Sequence, residues 1–136
     1  MTLPPDYARR VVIRGAAFVA ACGVTGLLLA LQVGLLRGTV AAGLTLAALF
    51  SPFALVDALL VPTPRSGPAR LGRIGLALLM LFGLSAAWQW RAFVAVPPDM
   101  QTQIVTEVAL RNLAFLGAYL LLETLIGSLI GRKVPT

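Results

Sequence analysis

The sequence contains no histidine, a single cysteine at Cys22 and only five acidic residues among 136. Each scarcity removes some chemistry from the chain acting alone. Haem b is held by imidazole, and catalytic zinc usually takes at least one histidine, so neither is expected here. One thiol cannot close an internal disulfide, and without a second Cys or His it makes a poor metal or redox centre. No nucleophile–base pair, phosphate-binding loop or internal repeat stands out. Charged residues make up 12% of the chain, against about 25% in soluble globular domains.

Apolar residues fill the space. They account for 59% of the sequence, where roughly 45–50% is usual, and the mean hydropathy is +0.92. A chain of this length cannot hide so much apolar surface from water by folding on itself. Lipid is therefore expected to cover the remainder. Ten arginines and one lysine give a formal charge of +6. In a soluble protein that excess would raise the question of nucleic acid. Here most basic residues sit at the ends of apolar runs, where they act as topology signals, and no nucleic-acid partner is expected.

The runs read as four membrane-spanning helices, at about 11–36, 39–61, 71–96 and 105–130, each near or above the roughly 20 residues needed to cross the hydrocarbon. The first is too long for the apolar core of a signal peptide and reads as uncleaved. Arg37-Gly38 marks a turn. Ser51-Pro52 falls inside the second helix, where neighbouring helices can absorb the carbonyl that proline frees. Pro62–Pro68 reads as a loop, Pro97-Pro98-Asp99 as a stop, and Met100–Gln103 as a polar linker into the fourth helix. The expectation is an all-α integral membrane four-helix bundle occupying the whole chain, residues 1–136, as one membrane domain.

Arg9, Arg10, Arg14, Arg65, Arg70, Arg73, Arg132 and Lys133 fall on one side, and Arg37, Arg91 and Arg111 on the other. The richer side is expected to be cytoplasmic, placing both termini in the cytoplasm. Trp88, Trp90 and Phe93 near the outer end of the third helix fit an aromatic belt.

Charged groups at membrane depth need a partner or a wet surface. Glu123 lies nine residues before Arg132, about 13 Å along a helix. Steps of seven and four place Asn112, Tyr119, Glu123 and Gly127 on one stripe, which is expected to face other helices. Glu123 reads either as the centre of a proton or quinone site or as a structural carboxylate paired with Arg14, Arg70 or Arg73, and pairing is favoured. Asp57, near the same interface, can share that basic partner or serve as a second carboxylate in a proton path. Glu107 and Arg111 have the favourable order for a helical ion pair. Arg91 can snorkel outward or bind a lipid phosphate or an anionic substrate group. Cys22, Thr25, Gly26 and Gln32 lie near one face, and Gly34/Gly38 and Gly127/Gly131 have the spacing of close helix packing. The candidate polar helix–helix or lipid/quinone contacts are thus Asp57, Arg91, Arg111, Asn112, Tyr119 and Glu123.

Leu71-Gly72-Arg73-Ile74-Gly75-Leu76, then Phe93–Gln101, then Leu110-Arg111-Asn112-Leu113-Ala114-Phe115-Leu116-Gly117 together resemble the DoxX-like family of small bacterial four-helix membrane proteins. Members often begin the last helix with a basic residue and Asn-Leu-Ala, then Gly and a leucine run; Arg111, Asn112 and Gly117 match. The likeness covers about the second half of the chain. Helix 1 is a poorer match, and the proline-rich loop is longer than usual for the family. The resemblance implies a multi-pass protein of the bacterial inner membrane, and some such proteins are subunits of quinone-linked oxidoreductases. With the small size and the missing cofactor ligands, it implies a non-catalytic accessory or scaffold subunit of a larger membrane redox complex, respiratory or photosynthetic. Such a subunit binds no cofactor alone and meets lipid or quinone at its surface. The alternative is a stand-alone oxidoreductase or transporter of a lipid-soluble substrate using Glu123 and Asp57. A channel would need oligomerisation, and no polar ring recommends it.

Overall fold

The computed structural model describes residues 5–33, 38–61 and 66–133, and these form four α-helices: α1 (Pro5–Val33), α2 (Gly38–Leu59), α3 (Gly67–Ala95) and α4 (Pro98–Lys133). Three of them, over Tyr7–Leu28, Gly67–Ala95 and Pro98–Leu129, are long and apolar enough to cross a membrane by length and composition. In α2 the apolar stretch among the described residues is Gly43–Leu59. The Arg37 turn and residues 62–65 of the expected loop lie outside the described residues, as do Gly34 and the side chain of Gln32.

Several boundaries differ from the sequence reading, and each difference has a local cause. Gly67 and Pro68 open α3 rather than ending a loop, because Ser66 caps it: its Oγ accepts from Ala69 N at 3.3 Å and its carbonyl from Arg70 N at 3.1 Å. Proline in the first helical turn loses no hydrogen bond. Met100–Gln103 are likewise the early turns of α4, not a linker. Pro98 starts the helix, Asp99 sits at its positive end, and the Pro97 carbonyl accepts from Met100 N and Gln101 N, both at 3.0 Å. Gln101 Nε2 then reaches back to the Phe93 carbonyl at 3.0 Å and the Val96 carbonyl at 3.4 Å, satisfying the open end of α3. The carbonyl orphaned by Pro52 is that of Ala48, four residues earlier. The adjacent Ser51 takes it, Oγ to O at 2.9 Å, so no neighbouring helix is needed.

By backbone proximity each helix has two neighbours. α1 lies on α2 and α4, and α3 lies on α2 and α4, with no close backbone approach across either diagonal among the described residues. The α1–α2 seam is the most extensive and the two seams of α3 are the slightest. Only Ala77, Leu81 and Ser85 of α3 are buried. The α1–α2 seam is close at Gly43, where a Cβ would already be in van der Waals contact with the facing backbone and a larger side chain would have no room. A Cβ there would stand 3.4 Å from the Cys22 carbonyl oxygen. Gly43→Leu is expected to push the two helices apart at a cost of about 1–3 kcal/mol, read as a lower melting temperature in detergent.

The interior is centred on Phe115 of α4. Its ring meets Phe18 of α1 edge-on at 5.8 Å between centroids, Phe50 of α2 at 4.8 Å, Phe53 of α2 at 6.4 Å and Tyr119 at 6.3 Å. The outward faces are also apolar: Val19, Leu44, Leu79 and Leu110, one on each helix, are 63–72% exposed. An exterior this apolar suits hydrocarbon better than water.

Candidate functional site

At the end of the interior toward the first turns of α1 and α3 and the last turns of α2 and α4, five polar side chains converge. They are Arg14 of α1, Asp57 of α2, Arg73 of α3, and Tyr119 and Glu123 of α4. Arg73 lies between the two carboxylates. Its Nε and Nη2 form a fork on Asp57 Oδ1 and Oδ2 at 3.1 and 2.9 Å, and Nη2 also reaches Glu123 Oε2 at 2.6 Å. Arg14 Nε donates to Glu123 Oε1 at 3.3 Å and lies 3.9 Å from Asp57 Oδ2. The Tyr119 hydroxyl donates to Asp57 Oδ2. Every carboxylate oxygen in the cluster therefore has a donor. Two cations face two anions, so the cluster is neutral as a unit. Arg14 and Asp57 are almost fully buried, and the side chains of Arg73 and Glu123 are 9% and 18% exposed.

Arg14 has a second task, shared with Arg10 one turn earlier. Arg14 Nη1 donates to the carbonyls of Asp57 and Val61. Arg10 Nε and Nη2 donate to the carbonyls of Ala58 and Leu59, each at 3.3 Å. The last turn of a helix leaves its carbonyls without intrahelical partners and carries partial negative charge. α2 has no basic residue of its own in that turn, and α1 supplies two. The pairing of Glu123 with Arg14 or Arg73 expected from the sequence does form, with both arginines, but reading Arg10 as a topology signal and Arg14 as that or as a partner of Glu123 does not anticipate this capping. The i, i+4 spacing of Arg10 and Arg14 on one face was the available clue.

A second polar layer lies about 16–18 Å away along α3 and α4, at 1.5 Å per residue. Ser85 Oγ, fully buried, accepts from Arg111 Nη2 at 3.0 Å and lies 3.2 Å from Asn112 Nδ2 and 3.3 Å from Asn112 Oδ1. The Arg111 guanidinium also sits 6.0 Å from the Phe50 ring centroid. The expected Glu107–Arg111 pair does not form. Glu107 is exposed and accepts from Gln103 Nε2 at 3.4 Å, while Arg111 turns inward to the serine. A charge-assisted bond in a dry seam outweighs an exposed helical ion pair. Glu107→Gln is accordingly expected to change stability by less than about 0.5 kcal/mol in a denaturation experiment.

Of the remaining candidates, Asn112 and Tyr119 are buried in the seam and Arg91 is exposed near the end of α3. Trp88 and Trp90 are exposed close to it, and Trp90 stacks on Phe93 at 6.1 Å. Arg70 is exposed and takes no part in the carboxylate cluster. Cys22, Thr25 and Gly26 are buried on one face of α1. Ser85 was not singled out by sequence, since one hydroxyl in a run of small residues gives no signal. Among the described residues no group of three or more His, Cys, Asp or Glu side chains is placed to hold a metal.

The chain is thus an all-helical protein whose four helices meet at one buried arginine–carboxylate cluster. No protein-family model, curated protein or solved structure matches it.

Proposed function

We propose that the chain is a multi-pass membrane scaffold, an accessory subunit of a larger bacterial membrane redox complex that has no catalytic step of its own. The observation carrying this reading is the arginine–carboxylate cluster. Its two carboxylates, the only acidic side chains in the apolar interior among the described residues, have all four oxygens engaged by Arg14, Arg73 and Tyr119. They serve to tie helices together. The alternative, a stand-alone oxidoreductase or transporter working through Glu123 and Asp57, requires a carboxylate free to meet substrate or water.

In this reading α2 is the fourth span. Its 22 residues extend about 33 Å, enough to cross the hydrocarbon. The helices form a four-helix bundle in the inner membrane, with the cluster in the cytoplasmic leaflet beside Arg9, Arg10 and Arg70, and with both termini in the cytoplasm. The weakly packed α3, apolar on its outward face, is the surface offered to a partner, to lipid or to quinone. The resemblance to the DoxX-like family supplies the redox part of the proposal.

Extraction in a mild detergent tests it. The chain should migrate with a much heavier assembly, and the copurifying partner should carry a haem or chlorin absorption spectrum. Recovery as a monomer or small homo-oligomer across several mild detergents would remove the accessory-subunit reading.

A further inference from the structure

Arg14 of α1 and Arg73 of α3 meet at Asp57 of α2. One turn nearer the starts of α1 and α3, on the same faces, stand Arg10, four residues before Arg14, and Arg70, three before Arg73. Arg9 directly precedes Arg10. In the cluster each guanidinium has a carboxylate. Arg9, Arg10 and Arg70 enter no ion pair among the described residues. Arg10 is half-buried over the last turn of α2, with its guanidinium 5.0 Å from the Tyr7 ring centroid, whereas Arg9 and Arg70 are exposed. By sequence Arg65, Arg132 and Lys133 belong to the same end, and Asp6 is its only acid outside the cluster. Outside the cluster, six cations against that one acid leave a net charge of +5 at this end, out of +6 for the whole chain. Apolar surface adjoins the charge. Leu60, next to the carbonyl that accepts from Arg10 Nη2, and Leu71, next to Arg70, are 73% and 72% exposed.

We propose that this end of the protein binds the headgroup of an anionic phospholipid, its phosphate held by Arg70 of α3 and by Arg9 and Arg10 of α1, and the start of its acyl chains on Leu60 and Leu71. The phosphate repeats, one turn further out, what Asp57 does inside: it stands between arginines of α1 and α3 at the end of α2. Guanidinium groups match phosphate in charge and in the geometry of their paired donors. Basic residues contributed by several helices at headgroup depth are how membrane proteins recognise anionic lipid. The exposed leucines beside the arginines suit an amphiphile, which carries phosphate and hydrocarbon in one molecule. A free phosphate or an acidic protein segment would engage the arginines and leave the leucines bare. The inference rests on the reading of the chain as membrane-spanning and not on its membership of a complex.

The test uses the full-length protein in a nonionic detergent, mixed with equal amounts of phosphatidylglycerol and phosphatidylcholine bearing the same chains. Retained lipid is counted by native mass spectrometry. Phosphatidylglycerol should be retained over phosphatidylcholine by about tenfold or more. Arg70→Gln should cut that preference about fivefold, the equivalent of roughly 1 kcal/mol for one basic residue near an anionic surface. Arg9→Gln with Arg70→Gln should abolish it; the single variant decides the matter if the double one does not fold. Arg91→Gln removes an exposed arginine at the opposite end and should change nothing. Equal retention of both lipids overturns the proposal, and so does a loss under Arg91→Gln as large as that under Arg70→Gln. Displacement of phosphatidylglycerol by an equimolar amount of inorganic phosphate or of hexaglutamate would assign the arginines to a soluble anion or to an acidic protein, and overturns it too. Retention of neither lipid would count against the membrane-spanning reading as well.

Discussion

Arg73→Leu is expected to destabilise the protein by about 3–5 kcal/mol, the range seen when one partner of a buried ion pair is removed. Three hydrogen bonds go at once, two to Asp57 and one to Glu123. What remains is a single cation, Arg14, against two carboxylates in a site from which water is largely excluded. An uncompensated charge there costs far more than the net value of the original pair. Removing a carboxylate together with the arginine should cost less than the two single losses combined, so Arg73→Leu with Glu123→Leu should retain a measurable part of the stability lost by Arg73→Leu alone. Reversible unfolding in mixed micelles, followed by circular dichroism, measures both. A loss under about 1 kcal/mol for Arg73→Leu would mean that the guanidinium is solvated like a surface group, and the structural role of the cluster would be abandoned.

Phe115→Ala should be comparably severe, again about 3–5 kcal/mol. The ring touches aromatic side chains of α1 and α2 and stacks on Tyr119, and it is fully buried. Deleting it opens a cavity where three helices meet, and the surrounding rings cannot collapse into it without moving the backbone. Phe115→Leu keeps most of the volume and should cost under about 1.5 kcal/mol. The ratio of the two losses, read from melting temperatures in one detergent, separates a packing role from a general demand for apolarity. Equal effects would mean that the aromatic arrangement contributes nothing specific.

The two sites differ in how far the sequence made them legible. Asn112, Tyr119 and Glu123 share a stripe of α4 because steps of seven and four keep helical register, and polar atoms on such a stripe are conspicuous against apolar neighbours. Phe115 lies in the same seam and carries no such mark. In an ordinary soluble helix, apolar residues mark the inward face. Here lipid-facing and protein-facing positions are both apolar, so Phe115 looks like Leu110 or Leu121, which face outward. Helix existence was legible for the same reason that helix ends were not. Apolar runs mark where hydrocarbon would lie, whereas backbone hydrogen bonding continues for as long as caps allow. α4 has 36 residues and extends about 54 Å, well beyond a hydrocarbon thickness of about 30 Å. Arg111 illustrates a further difficulty: its i−4 partner was visible in the sequence, and its partner across the helix seam was not.

The arginines that close the last turn of α2 bear on how the chain assembles. Synthesis proceeds from the N-terminal end, so Arg10 and Arg14 have already emerged when the carbonyls of Asp57, Ala58 and Leu59 appear. The first two helices can lock as a hairpin before Arg73 arrives to neutralise Asp57. In the finished protein the terminal turn of α2 is then held from outside its own sequence. Hydrogen exchange at Leu60 and Val61, whose amides bond to the Val56 carbonyl, should follow the departure of α1 rather than local fraying, and Arg10→Ala should speed it while leaving exchange in the middle of α2 unchanged.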